Sequence, residues 1–115
     1  MSTRCHTIIS KRNEKHYIYR HHDGYPEGAG QDLKEFINEY KNDFNVLSLN
    51  EIAERLNDFH SGFENENLCI HGDEDYIYVI DLDNNELKCY KIPWDKVEDA
   101  GEEFDKYVLK YIEKF

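Results

Sequence analysis

The densest chemistry in the chain lies in twelve consecutive residues, Tyr19-Arg20-His21-His22-Asp23-Gly24-Tyr25-Pro26-Glu27-Gly28-Ala29-Gly30. They bring together a guanidinium, two imidazoles, an Asp carboxylate, two phenols and three glycines. One chemistry that suits this set is anion binding. Gly28-Ala29-Gly30 leads into a helix, and the free N–H groups and dipole of a helix N-terminus favour negative charge. Arg4, Lys11 and Arg20 on nearby strands would complete a phosphate site, and Tyr17, Tyr19, Tyr25 or His21 would stack on a base. The ligand-binding set on this reading is Arg4, Tyr19, Arg20, His21, His22, Asp23, Tyr25, Gly28 and Gly30. The run is neither Gly-x-Gly-x-x-Gly nor a Walker loop. Asp32 and Glu35 also fall in the first helical turn, where they stabilise the dipole and repel a phosphate. The competing reading is a structural turn, with Pro26 and the glycines fixing the reversal and Asp23 bonding its own backbone.

Metal binding and catalysis are weaker readings. His21 and His22 on a strand point to opposite faces, so one ion would not easily take both, and zinc-type spacing is absent. Cys5 with His21 or His71 would make a nucleophile–base pair, and Asp23 with Glu27 an acid–base pair. No nucleophile elbow supports either. The expectation is therefore no catalytic residue, no metal and no cofactor. Cys5, Cys69 and Cys89 are odd in number and far apart, which argues against a disulfide framework and reads as thiols half-buried on strands. Residues 81–86 resemble a calcium loop superficially, but the Gly and Glu such a loop needs are missing, and a hairpin turn fits better.

The elements that must position these groups follow from periodicity. Residues 3–10 and 16–22 read as a hairpin around a polar turn at 11–15. Tyr17, Tyr19 and His21 share one face, and Ile18, Arg20 and His22 the other. Residues 31–42 read as a helix with Leu33, Phe36, Ile37 and Tyr40 in one stripe. Ser48-Leu49-Asn50-Glu51 is a capping box opening a second helix that carries Leu49, Ile52, Ala53, Leu56 and Phe59, and His60-Ser61-Gly62 ends it. Strands are expected at 68–71, 75–81 and 86–92. Asp95 with Glu98 suggests a further capping box, before a C-terminal helix with Phe104, Tyr107, Val108, Tyr111, Ile112 and Phe115 on one side. The expected order is β-β-α-α-β-β-β-α. This is a single α+β domain over 1–115 with a mainly antiparallel sheet of about five strands, helices packed on one face, and the other face partly open. If the Tyr side of the last helix is open, it would form a homodimer.

The chain has 115 residues, 14 basic and 25 acidic, for a net charge of −11. The charge is uneven. Residues 1–22 carry five basic groups and one acidic group, +4, and residues 23–115 carry nine and 24, −15. A net −11 argues against direct nucleic-acid binding, which needs a basic footprint. Such charge either keeps a small domain soluble or lets carboxylates replace phosphates in a basic groove of another protein. The candidate acidic surface is Asp73, Glu74, Asp75, Glu98, Asp99, Glu102 and Glu103. No apolar run approaches the ~20 residues of a membrane span and the N-terminus shows no apolar signal segment, so a soluble, cytoplasmic protein is expected.

Met1-Ser2-Thr3-Arg4, the Tyr-Arg-His-x-Asp-Gly-Tyr-Pro-Glu-Gly-x-Gly run over 19–30, and Leu33 together resemble the N-terminal halves of a family of small proteins encoded by phages and prophages. The resemblance covers roughly residues 1–40. It implies a viral or prophage setting in a bacterial host, and no activity or catalytic residues. The expectation is a non-enzymatic counter-defence protein. First, as an anti-CRISPR-like inhibitor, it would bind a host defence protein, such as a nucleic-acid-processing effector, through its acidic surface. Alternatively, it would sequester a phosphate-bearing signalling nucleotide at the 20–30 loop. A small hydrolase or a metal-binding protein is the remaining alternative.

Overall fold

A computed structural model describes residues 3–60, 62–66, 74–94 and 106–115. The described chain is α+β: two α-helices pack on a mostly antiparallel, mixed sheet. Strands β1 (Cys5–Lys11) and β2 (Glu14–Arg20) form the expected hairpin. Its turn is shorter than expected. Arg12 and Asn13 alone close it, both at positive φ (50° and 68°), the conformation a tight two-residue hairpin requires. One turn of π-helix (Pro26–Gly30) runs straight into α1 (Gln31–Tyr40). A 3₁₀ turn (Lys41–Asp43) follows, and then α2 (Leu49–Phe59), which opens on the complete Ser48/Glu51 capping box. The remaining strands are β3 (Phe63–Glu66), β4 (Tyr76–Asp81), β5 (Glu86–Lys91) and β6 (Val108–Lys114).

The six strands lie in the order β3-β2-β1-β4-β5-β6. All neighbours are antiparallel except β1 and β4, which run parallel from Cys5↔Tyr76 to Ser10↔Asp81. The two expected hairpins are the β1–β2 and β4–β5 pairs; the β2–β3 and β5–β6 pairs and the parallel junction were not foreseen. β1 is central and β4 beside it, so both lie between strands and their alternation of apolar faces is buried on each side.

One expectation is corrected. Residues 108–114 form β6, not a helix; the first part of the expected helix, with Phe104 and the Asp95/Glu98 box, lies outside the described residues. Val-Leu-Lys-Tyr-Ile-Glu-Lys satisfies helical and strand spacing almost equally, and β5 offers an open edge, which β6 takes with a bulge at Cys89/Tyr90. The expected strand at 68–71 also lies outside the described residues. The strand that pairs with β2 begins immediately after Gly62, with Phe63 opposite Arg20.

The core sits between the helices and one sheet face. Leu33, Phe36 and Ile37 of α1 and Ile52, Ala53 and Leu56 of α2 close over Cys5, Ile9, Ile18, Tyr78, Ile80, Leu87 and Cys89. Full burial of each large aliphatic side chain there stabilises by about 1.5–3 kcal/mol. The opposite face, expected to be partly open, holds a second buried cluster of Ile8, Ile77, Ile92 and Tyr107.

Candidate functional site

The Asp-Gly-Tyr-Pro-Glu-Gly segment is built from backbone outward. Asp23 takes the left-handed conformation, φ 55°, which Asp tolerates better than most residues. Its carbonyl accepts the Ala29 N–H at 2.8 Å, and the Tyr25 carbonyl accepts from Gly28 at 2.9 Å. The Gly30 N–H also points to Tyr25, at 3.5 Å. The π-turn therefore consumes the N–H groups that an anion at the α1 N-terminus would need. A Cβ on Gly28 would stand 2.3 Å from the Asp23 carbonyl oxygen, so only glycine fits. A Cβ on Gly30 would meet the Tyr111 hydroxyl at 2.8 Å. The Gly24 carbonyl accepts from the buried Tyr78 hydroxyl at 2.8 Å. These glycines lock the turn onto the sheet, and Gly28 and Gly30 do not line the cleft described next. Both have a structural reason to be glycine that needs no ligand.

Arg20, also in the expected ligand set, already has structural partners. It is 4% exposed. Its Nη1 donates to Asp32 Oδ2 at 2.7 Å, its Nε to the His22 carbonyl at 2.8 Å, and its guanidinium lies over the Phe63 ring at 4.8 Å. The carboxylate of Asp32 stands where a phosphate would have stood. The same Asp32 Oδ2 lies 3.3 Å from His60 Nε2, while His60 Nδ1 accepts the Gly62 N–H at 3.1 Å. His60 thus carries its proton on Nε2 and has its other nitrogen occupied, so it offers no lone pair for general-base work.

Around this strut lies an open-sided cleft of about 490 Å³, lined by Tyr19, Arg20, His21, His22, Asp23, His60 and Gly62. Its volume falls in the ~300–1,000 Å³ range usual for small-molecule sites. His21 is held by two donors on Nδ1, Arg4 Nε at 3.2 Å and the Tyr19 hydroxyl at 3.1 Å, which leaves its N–H on Nε2. The His22 ring meets His21 edge-on, with centroids 4.6 Å apart. Tyr25 is exposed and donates to Asp23 Oδ1 at 3.2 Å; that hydrogen bond raises the phenol above its ordinary pKa. The structure thus brings together Arg4, Tyr19, Arg20, His21, His22 and Asp23 of the expected set. It adds His60, Gly62 and Asp32, which sequence reading missed as ligand-site residues. The signal for His60 and Gly62 was the His60-Ser61-Gly62 helix end, read solely as a stop, and Asp32 was read only as a first-turn carboxylate that repels phosphate.

Chemistry elsewhere is muted. Burial pushes the Cys5 thiol far up, which weighs against the Cys5–His nucleophile pair considered as an alternative: a thiol with no exposure does not readily supply a thiolate. His6 and Glu74, both without exposure, face each other at 2.6 Å, and the Glu74 backbone carbonyl accepts from Trp94 Nε1 at 2.8 Å. Glu74 is therefore corrected from surface patch to buried partner of His6. Asp75 is half-buried, and Asp73, Glu98, Asp99, Glu102 and Glu103 lie outside the described residues. Among the described residues no three His, Cys, Asp or Glu side chains converge to hold a metal ion, and no helix is long and apolar enough to cross a membrane. No family model, curated protein or solved structure matches the chain.

Proposed function

We propose that this chain is a non-enzymatic binding protein whose ligand site is the cleft around Tyr19, His21, His22 and His60. The convergence of three imidazoles and a phenol on one cleft of about 490 Å³, beside the Asp23 carboxylate and with Arg4 bound to His21 behind it, carries this reading. The rings offer flat faces for a planar group, and fixed N–H groups offer donors to an anion. A small molecule with a ring and a phosphate, as in a signalling nucleotide, suits both. The blocked His60 and the buried Cys5 support binding over turnover. The N-terminal likeness to small phage and prophage proteins supports a role against a bacterial defence, in the host cytoplasm. Calorimetric titration with a panel of mono- and cyclic dinucleotides tests it. At least one should bind saturably, and exchanging the exposed His22→Ala should weaken it about ten-fold, or about 1.4 kcal/mol, with the fold intact. Absence of binding across the panel would sink this reading.

A second reading rests on the charge of −15 over residues 23–115. The acidic body would occupy a basic groove of a host defence protein. Asp73, Asp75, Glu98, Asp99, Glu102 and Glu103 are its candidate contacts, and Glu74 is not. Reversing Asp73 and Asp75 to Lys should abolish inhibition on this reading and leave nucleotide binding unchanged on the first.

A further inference from the structure

At the other end of the sheet the charge balance reverses. Lys11 closes β1, Lys41 sits in the 3₁₀ turn after α1, and both line a cavity of about 230 Å³. A smaller cavity of about 120 Å³ adjoins it across Phe115 and is lined by Lys34 and Lys114. The two cavities together are lined by four lysines and one acidic side chain, Glu113, which is already bound to Lys34 at 2.9 Å. A chain with 25 acidic and 14 basic residues would by chance line a cavity with the opposite sign. Neighbouring carboxylates are turned to other partners. Asp81 accepts from Asn84 and Lys88, and Asp83 accepts the Arg12 N–H.

The larger cavity has the other features of an anion pocket. Asn42, Asn45 and Asn85 supply amides, and Phe44, Leu82 and Phe115 supply apolar wall. Phe44 and Phe115 meet edge-on with centroids 6.0 Å apart. Lys11 already reaches in, its Nζ 3.4 Å from the Phe44 carbonyl. The cavity also lies where β1 and β4, the one parallel pair among the described strands, both end, and crevices at the carboxyl ends of parallel strands are favoured ligand positions.

From these features we infer a second binding site, for a small phosphorylated molecule, at the Lys11–Lys41 crevice. Lysines bind phosphate as mobile point charges, the asparagine amides fix orientation, and the Phe walls take a flat apolar body. The site is separate from the imidazole cleft. Arg20 pairs with Cys5 at the start of β1 and Lys11 stands at its end, six residues along, about 20 Å at the rise of a strand.

Amide-resolved NMR titration of the full chain tests it, with inorganic phosphate and phenyl phosphate as probes and sodium chloride at matched ionic strength as the control. Saturable shifts are expected at residues 41–45 and 82–85, with phenyl phosphate the tighter probe. Lys41 is exposed, so Lys41→Glu should fold normally and weaken both probes about ten-fold. His22→Ala should leave these shifts unchanged, which separates this site from the cleft. Shifts that merely track ionic strength, that survive Lys41→Glu, or that map to residues 19–23 would overturn the inference.

Discussion

At the scale of single residues, the positively charged group that looked most like a ligand contact is a strut. Arg20 is buried, holds Asp32 and the His22 carbonyl, and stacks on Phe63, so it links β2, α1 and β3. Removing it strands a partly buried carboxylate and an unpaired carbonyl. Arg20→Ala should therefore cost about 2–4 kcal/mol of stability, visible as a lowered midpoint in urea unfolding. Arg20→Lys should recover little, because an ammonium cannot serve both partners and the ring at once. An unchanged midpoint in the Ala variant would show that the strut is not formed in solution. Gly28 makes a comparable demand. Its Cβ would overlap the Asp23 carbonyl, so Gly28→Ala should distort the π-turn and lower stability by about 3 kcal/mol, read by thermal melting. Residue types announced this cluster, but not its use. Tyr19 to Asp23 are contiguous in the chain and were legible as a group, whereas Asp32 and His60 reach it only because α1 and α2 fold back over β2. No local pattern records that.

At the scale of elements, legibility followed how many independent signals each segment carried. The Ser48/Glu51 box, with its apolar stripe behind it, had two, and α2 formed from Leu49 as expected, with both reciprocal hydrogen bonds in place (3.2 and 3.1 Å). Those bonds hold the Glu51 carboxyl below its usual range. Ser48→Ala should destabilise the fold by about 1 kcal/mol, measured by chemical denaturation, while Ser48→Asp should be nearly neutral. The last segment had only one signal. Tyr107, Val108, Tyr111 and Ile112 suit a helix by spacing, but a seven-residue piece beside an open strand is decided by its neighbour. β6 therefore pairs with β5 and leaves Val108, Leu109 and Ile112 about half exposed. With residues 108–114 in a strand, the dimer face expected on the Tyr side of a helix there loses its basis, since Tyr111 packs toward the core.

At the scale of the whole molecule, several ionisable groups are committed to their neutral forms. Burial raises the Cys5, Tyr78 and Tyr111 groups far above their ordinary values, and pushes Cys89 up to about 11. Their folded pKa values lie above the unfolded ones, near 8.5 for Cys and 10 for Tyr. The stabilisation is therefore complete below about pH 8.5 and is lost progressively as pH rises toward the folded values. Melting temperatures recorded from pH 7 to 11 should fall steadily above pH 8.5, and Cys89→Ala should flatten part of that slope. A level profile to pH 11 would mean these groups are already solvated.

The parallel junction of β1 with β4 also has a consequence for how the chain is born. β1 is made first yet occupies the middle of the sheet, and its second neighbour follows roughly 65 residues later, a wait of about 3–13 s at ~5–20 residues per second on the ribosome. Throughout that interval the nascent hairpin presents one unpaired edge, from Cys5 to Lys11, with Ile8 and Ile9 in it. Like charges nearby discourage such an edge from joining its neighbours. The five basic residues of the first 22 stand in and around that hairpin, in a chain otherwise strongly acidic. Their like charge repels the same segment of a second copy and attracts the acidic remainder of their own chain.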